Sequence, residues 1–116
     1  MVKTADQVTQ SVRRYVAELE FLGIPVERVL LFGSHVSGRP QEESDIDLAV
    51  FSDRFGQDDH LEFSGILSKA KWQSDPSIEA IGFNPAALTN LNPASFLAEI
   101  VRTGQVVYLK AASSAK

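Results

Sequence analysis

The stretch that most limits what this chain can become runs from Val29 to Val50, VLLFGSHVSGRPQEESDIDLAV. An apolar run, Val29 to Phe32, ends at Gly33-Ser34, and after a polar spacer Asp45-Ile46-Asp47 opens a second run through Leu48, Ala49 and Val50. Both runs read as strands. Strand side chains alternate between faces, so Asp45 and Asp47 share one face while Ile46, Leu48 and Val50 take the other. A core alone gives no reason for two acids at the head of a buried strand. Two close carboxylates repel unless a cation sits between them, and a hard, oxygen-ligated ion such as Mg²⁺ suits them. The plain alternative is an Asp pair capping the turn before a strand.

Gly33-Ser34 supplies a second half to the same site. Glycine tolerates unusual backbone angles and close approach. Ser34 and the residues after it can start a helical turn whose outward N–H groups form an anion site suited to phosphate. The same geometry also serves a simple cap. Phosphate donors beside carboxylates that hold a metal suggest a nucleoside triphosphate, and phosphoryl or nucleotidyl transfer.

Composition narrows the setting. A chain of 116 residues with 44% hydrophobic and 22% charged residues suits one soluble domain with a single core. No apolar run approaches the ~20 residues of a membrane span, and Met1-Val2-Lys3 opens no signal-peptide pattern. The absence of cysteine excludes disulfides and thiolate metal sites and makes the cytoplasm the expected compartment. A formal charge of −4, from 15 acidic against 11 basic residues, argues against a long nucleic-acid footprint.

Along the chain, Thr4-Ala5-Asp6-Gln7 reads as a capping box. Val8, Val12, Tyr15, Val16, Leu19 and Leu22 then recur at helical spacing until Gly23 and Pro25. Val26 to Phe32 and Asp45 to Phe51 are the two strands, with Glu27 and Arg28 expected at an exposed edge. The segment from His35 to Ser44 reads as a helical turn and then a loop, broken by Gly38 and Pro40. A turn with Gly56 leads to a helix capped by Asp59, carrying Phe63, Ile66, Leu67 and Ala70 and ending near Trp72. Asp75-Pro76 breaks the chain before a third strand, Ser77 to Phe83. A short helix from Pro85 to Leu91 and another from Asn92-Pro93, closed by Gly104, precede an edge strand from Gln105 to Leu109. The fold class expected is α/β (α+β): one mixed β-sheet with helices packed on it, a single domain over 1–110, with 111–116 as a disordered tail.

The pattern Gly33-Ser34, ten residues, Asp45-Ile46-Asp47-Leu48 resembles the signature of the polymerase-beta-like nucleotidyltransferase superfamily, and within it the minimal nucleotidyltransferases. The likeness extends over most of residues 26–109: after the third strand come a Pro-bounded short helix, another helix, a glycine and an apolar strand. It implies a nucleotidyltransferase-like fold and an enzyme with two Mg²⁺ sites. A third acid from a later strand would complete the metal set, and Glu79, alone among Ile78 and Ala80, is the candidate; the family more often carries Asp there. The bland alternative for Glu79 is a strand-edge acid facing water. The resemblance assigns Gly33 and Ser34 to the β and γ phosphates of an NTP, with ATP first, and Asp45, Asp47 and Glu79 to the metals. It also implies a partner, since minimal nucleotidyltransferases are often antitoxins of helical HEPN-type toxins. The chain looks too short for an acceptor-binding domain, which agrees with a protein acceptor. A catalytically inactive nucleotide-binding or protein-interaction module is the competing reading, and a homo-oligomer with a vestigial site a third. Arg39 and Lys69 could reach a triphosphate but read better as solvated surface charges, and His35, Glu42, Glu43, His60 and Trp72 read as surface or ordinary helix residues.

Overall fold

The computed structural model describes residues 4–33, 45–56 and 60–110. The spacer from 34 to 44, the Asp59 cap and the tail from 111 lie outside the described residues. Helix α1 (Ala5–Phe21) begins as its sequence dictates: Thr4 Oγ1 accepts from the Gln7 N–H at 3.1 Å and Gln7 Oε1 accepts from the Thr4 N–H at 2.8 Å. It ends in a Schellman motif, with Ile24 N–H donating to Leu19 O at 2.9 Å, Gly23 N–H to Glu20 O at 3.1 Å, and Gly23 at φ +94°. Val8, Val12, Tyr15, Val16 and Leu19 form its buried stripe, as their spacing requires.

Among the described residues four strands follow: β1 (Arg28–Phe32), β2 (Ile46–Phe51), β3 (Ile78–Phe83) and β4 (Gln105–Leu109). They form one mixed sheet in the order β3-β2-β1-β4. β1 pairs antiparallel with β2 and β4, whereas β2 and β3 run parallel and are joined through helix α2 (His60–Ser74). A parallel pair needs such a crossover. A 3₁₀ turn (Pro85–Leu88) and helix α3 (Phe96–Thr103) lead into β4.

Alternation along the strands sorts the core into two faces. Val29, Leu31, Ile46, Leu48, Val50 and Ile78 are buried with α1, and Phe63, Ile66 and Leu67 of α2 pack against them. On the opposite face Leu30, Ala49 and Phe51 are buried with Leu97 and Ile100 of α3. Each fully buried aliphatic or aromatic side chain contributes roughly 1.5–3 kcal/mol, so these faces rather than helix propensity hold the layers together. Among the described residues no helix is long and apolar enough to cross a membrane.

Several local expectations differ from what forms. Helix α3 is capped by Ser95, whose Oγ accepts from Ala98 N–H at 3.0 Å; Asn92 Oδ1 instead accepts from Ala94 N–H at 2.9 Å and closes a separate turn. Asn-Pro serves a turn as well as a helix start, and only the next polar residue decides between them. Arg28, expected at an exposed edge, belongs to the central strand between Phe51 and Leu109 and is half-buried. Asp75 is more than a break. Its carboxylate is buried, accepts from Ser11 Oγ of α1 at 2.6 Å, and holds Ser77 through both N–H (3.0 Å) and Oγ (2.7 Å). This couples α1 to the entry of β3. Asp75→Ala removes a charged acceptor from buried donors and is expected to cost about 3 kcal/mol in urea unfolding, and Ser11→Ala about 1 kcal/mol.

Candidate active site

The antiparallel register of β1 and β2 places the last residue of β1 against the acids: Phe32 lies opposite Asp47. The chain then turns at Gly33, which holds φ +80°. The Asp47 carboxylate rests on that turn. A Cβ built on Gly33 would overlap Asp47 Oδ2 and lie 3.1 Å from its Cγ. Glycine is therefore demanded twice, by its left-handed backbone and by the acid packed on it.

The parallel register of β2 and β3 brings in the third acid. Asp47 pairs with Glu79, Ile46 with Ile78 and Leu48 with Ala80. In-register neighbours on adjacent strands sit roughly 4.8 Å apart and project from the same face. Asp45 is exposed just before β2, where Ile46 N–H donates to Ser77 O at 2.9 Å. The end of β1 and the starts of β2 and β3 thus share one end of the sheet. Asp47 is half-buried there, on the face that carries Ala49 and Phe51, while Glu79 is exposed. Ser34 lies outside the described residues.

Glu79 is engaged. β3 is an edge strand, and the Glu79 side chain reaches round that open edge to α2, where Lys71 Nζ donates to its Oε2 at 2.7 Å. Lys71 also sits 5.7 Å from the Trp72 ring centroid. Among the described residues, no three His, Asp or Glu side chains are gathered into a metal-binding group. The donor set nevertheless fits a hard cation: carboxylate oxygens from adjacent strands beside a glycine turn, with no sulfur or imidazole among them.

Lys71 was not singled out by sequence reasoning, which weighed Lys69. The signal was present in the spacing: Lys71 follows Ala70 and lies four residues after Leu67, at the rim of the helix face that packs on the sheet. A cleft of about 350 Å³ opens beside it between α2 and β3, lined by Phe55, Phe63, Leu67, Lys71, Glu79 and Gly82. Tyr15 closes its floor, donating its hydroxyl to Leu67 O at 3.0 Å. Burial pushes the Tyr15 hydroxyl well above the usual tyrosine range, and the Glu79 charge adds to the shift. Tyr15 is therefore a neutral donor. Gly33→Ala forces a left-handed alanine into the Asp47 carboxylate, and should lower stability by about 1–3 kcal/mol in thermal or urea unfolding.

The family model described as polymerase beta, nucleotidyltransferase matches residues 23–113, from the glycine that ends α1 to beyond β4. Among solved structures, the chain is similar to a toxin-antitoxin crystallised with AMP-PNP, at 25% identity and a TM-score of 0.47, over 82% of this chain and 71% of that one. It is also similar to a mutant of the toxin-antitoxin MntA-HpeT, at 19% identity and a TM-score of 0.45, over 92% of this chain and 74% of the other. No curated protein matches. The matched span takes in every strand of the sheet and the whole acidic end described above, and the chain belongs to the polymerase beta nucleotidyltransferase family.

Proposed function

We propose that this nucleotidyltransferase moves a nucleoside monophosphate from an NTP, ATP first, to an acceptor hydroxyl, with Mg²⁺ held by Asp45, Asp47 and Glu79. The observation that carries the reading is the register that sets Asp47 between the Gly33 turn and Glu79 at one end of the sheet. Bound there, Mg²⁺ would supply charge neutralisation on the triphosphate and a lowered pKa for the acceptor hydroxyl. The residues of the chain position rather than react. Asp47, propped on the Gly33 turn, presents its oxygens in a fixed direction; Asp45 adds a second carboxylate from the exposed side. Gly33 and Ser34 would hold the β and γ phosphates, and Glu79 would join Asp45 and Asp47 in holding the metal that lowers the pKa of the acceptor hydroxyl. The α-phosphorus gains a bond to the acceptor oxygen as the bond to the pyrophosphate oxygen breaks, as in phosphoryl transfer generally.

The acceptor in this proposal is a partner protein, a helical HEPN-type toxin modified on a hydroxyl side chain, and the compartment is the cytoplasm. The likeness to minimal nucleotidyltransferases at Gly33-Ser34 and Asp45-Ile46-Asp47 supports that setting. A second reading, a nucleotide-binding or protein-interaction module without turnover, is favoured by the 2.7 Å ion pair in which Glu79 meets Lys71.

Incubation with α-phosphate-labelled ATP, Mg²⁺ and the co-purified genomic-neighbour protein separates the two. Transfer of label supports the enzyme, and nucleotide binding without transfer supports the module. Asp47→Asn is expected to leave the unfolding transition in place while cutting label transfer on the order of 10³-fold, the kinetic equivalent of losing several kcal/mol of charge stabilisation. An Asp47→Asn protein as active as the parent would refute the assignment.

A further inference from the structure

Among the described residues, the ion pair that Glu79 makes is with a residue that the reaction proposed above does not use. Lys71 is mostly buried, with its side chain 20% exposed against 54% for Glu79, and it is steadied by the Trp72 ring at 5.7 Å. Its ammonium is therefore the enclosed member of the pair, and the glutamate is the exposed one. By register the Glu79 backbone is the neighbour of Asp47, yet its carboxylate is drawn over the β3 edge toward α2. The structure shows the carboxylate paired with the lysine, while the register leaves the Asp47 side within the reach of the same side chain.

We propose that Lys71 is a positioning residue that holds Glu79 away from Asp47, so that binding of a divalent cation at the acidic end must first break the Lys71–Glu79 pair. This rests on the reading of Asp45, Asp47 and Glu79 as metal-binding residues. The competition is thermodynamic. Any free energy spent in separating the pair is subtracted from cation affinity, and only a difference in affinity between the two Glu79 positions shifts their populations. Because a partly exposed ion pair is weak, the restraint is modest. Once Glu79 turns, the Lys71 ammonium is left facing the 350 Å³ cleft without its carboxylate.

The expected effect is read with Mn²⁺ as the probe, by the loss of its free-ion electron paramagnetic resonance signal, with no turnover required. Lys71→Met should tighten Mn²⁺ binding about threefold to fivefold. Removing a nearby positive charge also favours a cation through space, so the same substitution is made in Glu79→Gln. There it should change affinity less than twofold, because the pair no longer exists. A second readout is acylation of the Lys71 amine followed by mass spectrometry: labelling of the parent protein should rise when Mn²⁺ is added. Equal tightening in both backgrounds, or no tightening by Lys71→Met, would overturn the proposal. Asp47→Asn distinguishes the two levels of failure. If it abolishes Mn²⁺ binding while Lys71→Met has no effect, only the restraint is wrong. If it binds Mn²⁺ like the parent, the metal site and the restraint fall together.

Discussion

The Asp47 carboxylate resting on the Gly33 turn is the contact around which the acidic end of the sheet is built. It exists because β1 and β2 pair antiparallel with Phe32 opposite Asp47. Strand side chains alternate, so a slip of one residue would send Asp47 into the face occupied by Ile46, Leu48 and Val50. The register is therefore enforced by the core and displayed as chemistry at the sheet end. Burying five or six aliphatic side chains outweighs anything a single half-buried acid could contribute, and the acid goes where the core puts it.

The third strand shows a different balance. β3 is parallel to β2 and bears Glu79 at the position next to Asp47, but it lies at the open edge of the sheet. Edge position gives a long side chain two directions to turn, and in this structure it turns to Lys71. A central strand would offer no such choice. The edge location that leaves Glu79 exposed is the same one that lets α2 engage it. Farther from the site, Asp75 ties Ser11 of α1 to Ser77 ahead of β3, so the helix layer and the start of the acidic strand are anchored together.

Much of this was legible in residue order because it depends on local chemistry. Thr4 with Gln7, the apolar stripe through Leu19 and the Gly23 stop act within a few residues, and all three form as their pattern dictates. The apolar cores of β1 and β2 and the likeness at Gly33 and Asp45-Ile46-Asp47 likewise pointed to the family and to a mixed sheet. What sequence could not show depends on partners far apart in the chain. Ser11 meets Asp75 across 64 positions, and Lys71 meets Glu79 only because β3 is at an edge. The misplaced start of α3 has a local cause: Asn92-Pro93 can open either a turn or a helix, and Ser95 three residues on provides the actual cap.

The most direct measurement is an anomalous-scattering map of crystals of the protein grown with Mn²⁺ and a non-hydrolysable ATP analogue. The account requires an anomalous peak within coordinating distance of carboxylate oxygens from Asp47 and at least one of its two companions, with the triphosphate on the Gly33 side. A map with the analogue bound but the metal peak elsewhere on the molecule would contradict it.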